Sequence, residues 1–139
     1  IIFCHSISHL DNILEVMLEC HRLLKSNGTI EIVAPHFSSD NFHTDPTHNF
    51  SMGYRSMYYF VFNVNFDYKY IQNGKLFELM SHSLSFREAP CSWRTETNFN
   101  LVKLVGIEYL AKKFPRVYER VFSFIFPASE VYFLLKKSR

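Results

Sequence analysis

Histidine and aspartate crowd one short stretch of this sequence: His36, His43, Asp45 and His48 fall within thirteen residues of each other. Imidazole and carboxylate are the donors that catalytic zinc uses, three from the protein with a water in the fourth place. A metal-dependent hydrolase is therefore one chemistry the stretch could serve. Its spacing matches no pair of ligands one helical turn apart. Asp45-Pro46 opens a turn, and Thr47 or Ser51 can cap the element that follows. On that reading Asp45 and His48 pin a loop over a site and hold no metal. Upstream stands His9. An imidazole unperturbed near about 6.5 can take a proton at neutral pH, so His9 is a candidate catalytic base; the plainer reading is a residue bonding locally where a helix begins. Tyr54, Tyr58, Tyr59 and Phe60 could wall a substrate pocket, or fill a core, since they recur at helical spacing. His82 reads as a satisfied buried histidine, and Trp93, between Cys91 and Arg94, as a lid residue by type alone.

The elements that must position these residues follow from hydrophobic pattern. Ile1 to Cys4 is a continuous apolar run, as in a strand buried on both faces of a parallel sheet. Asn12 can cap a helix with Glu15 three residues on. Leu14, Met17, Leu18, His21 and Leu24 then make a stripe, and Asn27-Gly28 supplies a left-handed stop. Thr29 to Ala34 is a second strand, ended by Pro35. Strand, helix and strand in this span form a βαβ unit with a right-handed crossover. A polar loop runs from His36 to Asn49, long enough to be functional. Ser51 to Phe62 reads as an aromatic helix. Leu76 to Phe86 alternates, with Met80, His82, Leu84 and Phe86 on one face and Ser81, Ser83 and Ser85 on the other. Leu101 to Lys113 is helical; Pro115 starts another helix with Val117, Val121 and Phe124 or Ile125 facing inward. Val131 to Lys136 is a final strand.

Composition bounds the function. The chain has 139 residues, 47% hydrophobic and 20% charged, which is enough for one globular unit. Fifteen Phe and eight Tyr ask for large apolar surfaces to pack against. A net charge of +2, with no basic run beyond Lys112-Lys113 and Lys136-Lys137, argues against nucleic acid as a partner. The densest apolar run, Val121 to Pro127, is too short to span a membrane. Three cysteines without paired spacing suggest a reducing, cytoplasmic setting.

Ile1-Ile2-Phe3-Cys4-His5-Ser6-Ile7-Ser8-His9-Leu10-Asp11 resembles the fourth strand, and the loop after it, of class I S-adenosylmethionine-dependent methyltransferases of the type 11-like kind. Many members carry an acidic residue before that histidine; here the pair is Ser8-His9. Cys20-His21-Arg22-Leu23-Leu24-Lys25-Ser26-Asn27-Gly28 is similar to the family's Arg-Leu-Leu-Lys-Pro-Gly-Gly helix end. Ile32-Val33-Ala34-Pro35-His36 resembles the close of its fifth strand. Asp45-Pro46-Thr47-His48, with Phe50 and Tyr58-Tyr59-Phe60, resembles a motif of one bacterial branch, whose last strand is similar to Phe126 through Lys136. The ordered series covers nearly the whole chain.

The resemblance implies an α/β fold, the second half of a Rossmann-like methyltransferase domain spanning 1–139: strands four to seven with flanking helices, the last strand antiparallel and inserted between two parallel neighbours. It implies S-adenosylmethionine as cofactor, with Cys4, His5 and Ser6 bordering its methionine and sulfonium end, His9 as the catalytic residue, and His36, Asp45, His48 and Tyr58 against a small-molecule or sugar-like acceptor. The family's glycine-rich turn is not found, because Gly28, Gly53, Gly74 and Gly106 stand far apart. The expectation is therefore a fragment whose cofactor-binding half precedes Ile1, inactive alone and able to self-associate through its first strand. The competing expectation is an interaction module that buries an aromatic face on a partner.

Overall fold

The computed structural model describes residues 1–61, 76–87 and 106–138. Trp93, Cys91, Gly74 and the start of the expected 101–113 helix lie outside them. The described residues form a mixed four-stranded sheet with helices packed against it. Strand β1 (Ile2–Cys4), helix α1 (Ile13–Leu23) and strand β2 (Thr29–Pro35) come first. Helix α2 (Asp40–Thr44), a 3-10 helix at Ser56–Phe60 and strand β3 (Phe77–Ser85) follow. Helix α3 (Ile107–Lys113), a short helical turn at Pro115–Val117, a π-helix at Tyr118–Phe122 and strand β4 (Glu130–Lys137) complete the order.

The opening unit has the expected order of strand, helix and strand, but β1 is not buried on both faces: it lies at the edge of the described sheet with Ile1 and Ile2 exposed. β1 and β2 pair in parallel, Ile2 opposite Glu31 and Cys4 opposite Val33. The Asn12 side chain accepts from the backbone N–H groups of Leu14 (3.1 Å) and Glu15 (3.3 Å), satisfying two of the donors a helix start leaves open. The chain turns back at Asn27, φ 64°, so asparagine and not Gly28 takes the left-handed position. The buried stripe of α1 differs from expectation. Met17 and Cys20 are buried, with Ile13, Val16 and Leu24 beside them, while Leu14 and Leu18 face outward. The helix is rotated by about one residue, because packing on the sheet selects the face that carries Met17 and Cys20.

The sheet order is β1-β2-β4-β3. β4 runs antiparallel to both β2 and β3, so the last strand lies between two strands that are parallel to each other, as expected. Ile30, Ile32 and Ala34 of β2 and Val131, Phe133 and Leu135 of β4 are fully buried and form one continuous core face. The alternation expected for β3 breaks at a bulge between Leu79 and Ser81. The extra residue, Met80, points out at 56% exposure, and parity is reset so that Phe77 and Leu79 on one side, His82 and Leu84 on the other, face inward.

Two further expectations are corrected. The loop from His36 to Asn49 contains α2, started by the Ser39 side chain accepting from Asn41 N–H. After Pro115 the buried residue is Tyr118, and Val117, Val121, Phe124 and Ile125 are exposed. The cause is the wide turn: Ser123 N–H reaches back five residues to Tyr118 O, and the additional residue shifts which side chains face in. Tyr118 packs with Ile107, Ala111 and Ala128 in a second, smaller core.

Candidate functional site

Parallel β1 and β2 end on the same side of the sheet, where ligands of open α/β sheets bind. β1 leads through His5, whose φ of 55° is uncommon outside glycine. His5 is held there by its N–H on Val33 O (2.9 Å) and by its Nε2 donating to buried Glu130 Oε1 (2.7 Å). Ser6 then leads into a 3-10 turn, Ile7–His9. β2 leads through His36 and α2 to Asp45. The two loops are sewn together by Asn49: its backbone N–H donates to Ser8 O (2.8 Å), and its Nδ2 donates to His9 O (3.0 Å) and Asp11 Oδ1 (3.2 Å).

That seam brings His9 onto Asp45 and His48. Thr47 joins them. Its N–H (2.9 Å) and its hydroxyl (2.6 Å) both donate to Asp45 Oδ1. These bonds, the side-chain one first, hold the Asp45 carboxyl below the usual aspartate range, with His48 and His9 adding smaller effects. His9 Nδ1 lies 2.9 Å from Thr47 Oγ1 and 3.3 Å from Thr47 O. His48 Nδ1 lies 3.0 Å from Phe42 O. A carbonyl only accepts, so in each ring Nδ1 is the donor. The His9 and His48 rings are 4.5 Å apart, and His48 stacks on Phe42. The arrangement presents two imidazole rings and an ionised carboxylate at the ends of two parallel strands, open to solvent.

The other expected residues sit elsewhere. His36 is fully buried. Its Nδ1 accepts from Ser38 Oγ (2.7 Å) and N–H, and its Nε2 donates to Glu119 Oε1 (3.2 Å). Glu119 also takes the Tyr54 N–H, and a Cβ on Gly53 would meet that carboxylate at 2.9 Å. His36 thus ties β2 to the π-helix. His43 spends Nε2 on Phe37 O (3.2 Å). The four-residue metal set read from spacing is not brought together; Asp45 and His48 are joined by His9 and not by His36 or His43. The Tyr58 hydroxyl is hydrogen-bonded to His82 Nε2 (2.8 Å), and Tyr58 lines a cavity of about 750 Å³ with Tyr54, Arg55, Phe114 and Arg120. A smaller apolar cavity, about 320 Å³, lies between Ile13, Phe50, Met57 and Phe60, in segments that directly follow the His9 and His48 loops. Cys4 is disulfide-bonded, against the expectation of a reducing setting, and Cys20 is a buried free thiol.

Sequence reasoning passed over Asn49, Glu119 and Glu130. Nothing local marks them, since each acts on a partner at least forty residues away. Thr47 was visible beside Asp45, as a helix cap. No helix among the described residues is long and apolar enough to cross a membrane. No family model, curated protein or solved structure matches this chain.

Proposed function

We propose that this chain is the second half of a Rossmann-like, S-adenosylmethionine-dependent methyltransferase domain acting on a small-molecule or sugar-like acceptor. One observation carries the reading: β4 lies antiparallel between β2 and β3, in the order β1-β2-β4-β3. The methyltransferases that the sequence resembles arrange their fourth to seventh strands in this way.

In the proposed reaction the acceptor would take up a methyl group through a lone pair and give up a proton. The cofactor supplies the activated methyl group; the protein supplies alignment and a place for the proton. Cys4 ends β1, His5 and Ser6 follow it, and all three are assigned to the cofactor side. His9, Asp45 and His48 are assigned to the acceptor side, His9 among them receiving the proton at Nε2 in the metal-free chain. His36 and Tyr58 act indirectly, His36 by fixing the end of β2 and Tyr58 by walling the larger cavity. The glycine-rich cofactor turn is not among these residues, so the chain alone holds half of the cradle.

Calorimetric titration with S-adenosylmethionine tests this, on the 139-residue chain and on a longer chain supplying the preceding strands. The expected result is binding by the longer chain only. Tight binding by the short chain would overturn the half-domain reading, and no binding by either would overturn methyl transfer. A second reading, a module that docks on a partner, is favoured by the exposed Val117, Val121, Phe124 and Ile125. It predicts no cofactor binding by either chain.

A further inference from the structure

We infer that His9, Asp45 and His48 form a binding site for one divalent transition-metal ion, zinc being the ion that the donors fit best. A ligand atom of each of the three lies within 4.8 Å of those of the other two. Zinc held at about 2.0–2.2 Å by such donors in a tetrahedron needs them roughly 3.3–3.5 Å apart. Closure therefore asks the ligand atoms to draw together by no more than about 1.5 Å.

The surroundings are those that metal-ligating histidines require. Each imidazole donates from Nδ1, His9 to Thr47 Oγ1 (2.9 Å) and Thr47 O (3.3 Å) and His48 to Phe42 O (3.0 Å), which orients the ring and makes Nε2 the nitrogen available to an ion. Thr47 couples two of the ligands. Its hydroxyl donates to Asp45 Oδ1 and therefore accepts from His9, so the second carboxylate oxygen is left for an ion. Two nitrogen donors in three disfavour magnesium and calcium, which take oxygen, and suit zinc or another late first-row ion. Three protein ligands leave a position open for water or for an oxygen of a bound small molecule. With an ion present, His9 becomes a ligand, and the ion replaces its Nε2 as the group that would draw charge from an acceptor hydroxyl. The inference concerns the cluster already assigned to the acceptor side but stands on its geometry alone. A failed zinc titration leaves the methyl-transfer reading intact, and a failed cofactor titration leaves the metal site intact.

The test is calorimetric titration of the metal-stripped chain with zinc chloride in a non-chelating buffer, repeated with cobalt(II) to read ligand-field bands in the visible. One ion per chain is expected, with bands typical of a low-coordinate nitrogen–oxygen site. Thr47→Val should weaken binding by about 10- to 100-fold, the loss expected when an outer hydrogen-bond partner of the ligands is removed. His9→Ala and His48→Ala should weaken it at least as much, and His43→Ala should not change it. Asp45→Asn keeps the Oδ1 acceptor of the turn while lowering the donor strength, so it separates ligation from folding; circular dichroism of each variant checks the fold. Binding should vanish as the pH falls and protons compete for the imidazoles. No uptake by the parent chain, affinity unchanged in the His9→Ala/His48→Ala double variant, or equal loss in His43→Ala would each overturn the site.

Discussion

At the scale of single residues, a buried tyrosine and a half-buried histidine report on how the ends of the strands are held. Tyr118 is fully buried, and its hydroxyl donates to Phe126 O at 2.7 Å. Burial drives the phenol far above its ordinary range, so it stays protonated and remains a donor. Tyr118→Phe leaves that carbonyl without this partner and should cost about 1–2 kcal/mol, read as a lower urea midpoint at unchanged slope. His82 gives a pH dependence of known sign. Burial pushes its imidazole below the usual histidine value. The folded chain therefore binds fewer protons than the unfolded one near that site, and stability increases with pH. The contribution is complete above the unfolded value of about 6.5 and is lost as the pH falls below it. The parent should lose stability between pH 7 and pH 5 more steeply than His82→Gln, which can still accept from Tyr58 and does not titrate. Parallel curves for the two would remove His82 as the cause.

At the scale of elements, local signals were legible and register was not. Asn12 acts alone on the first turn of α1, and so its role could be read from three neighbouring residues. Asn12→Ala should cost about 1 kcal/mol in thermal or urea unfolding, while Asn12→Asp should be nearly neutral. β1, β2 and the turn at Asn27 were equally readable, being set by short apolar runs and one left-handed residue. The bulge at Met80 was not, since it exists only in the pairing of Leu79 with Leu135 and of Ser81 with Leu134. Strict alternation across it puts Met80 on the wrong face. The consequence is measurable: Met80→Ser should change stability by no more than about 0.5 kcal/mol, whereas Phe77→Ala, at a fully buried position, should cost about 3–5 kcal/mol. The same kind of phase error hid the exposed side of Val117 and Val121, because a π turn adds one residue that composition does not announce. The site divides likewise. Asp45, Thr47 and His48 stand together in sequence, but their partner His9 is 38 residues before Thr47, and only the parallel pairing of β1 with β2 brings it there.

At the scale of the whole molecule, two apolar features compete to govern association. β1 is the edge of the described sheet, three residues long and paired with β2 on one side. Ile1 O and His5 N–H both point to β2, so the backbone groups of Ile2 between them point away, and the Ile2 side chain is 72% exposed. Such an edge is a template for another strand, and a net charge of +2 opposes pairing only weakly. The rival feature is the surface around Phe124 and Ile125, 79% and 69% exposed. Sedimentation velocity separates them. If the edge governs, the chain associates as its concentration rises, Ile2→Lys suppresses this by placing a charge on the edge strand, and Phe124→Ser/Ile125→Ser leaves it unchanged. A longer chain that covers β1 with the preceding strands should then be monomeric as well. The reverse pattern, association abolished by the serine pair and indifferent to Ile2→Lys, would shift the balance to the docking module, because the molecule would then be completing a surface of helices and not a sheet.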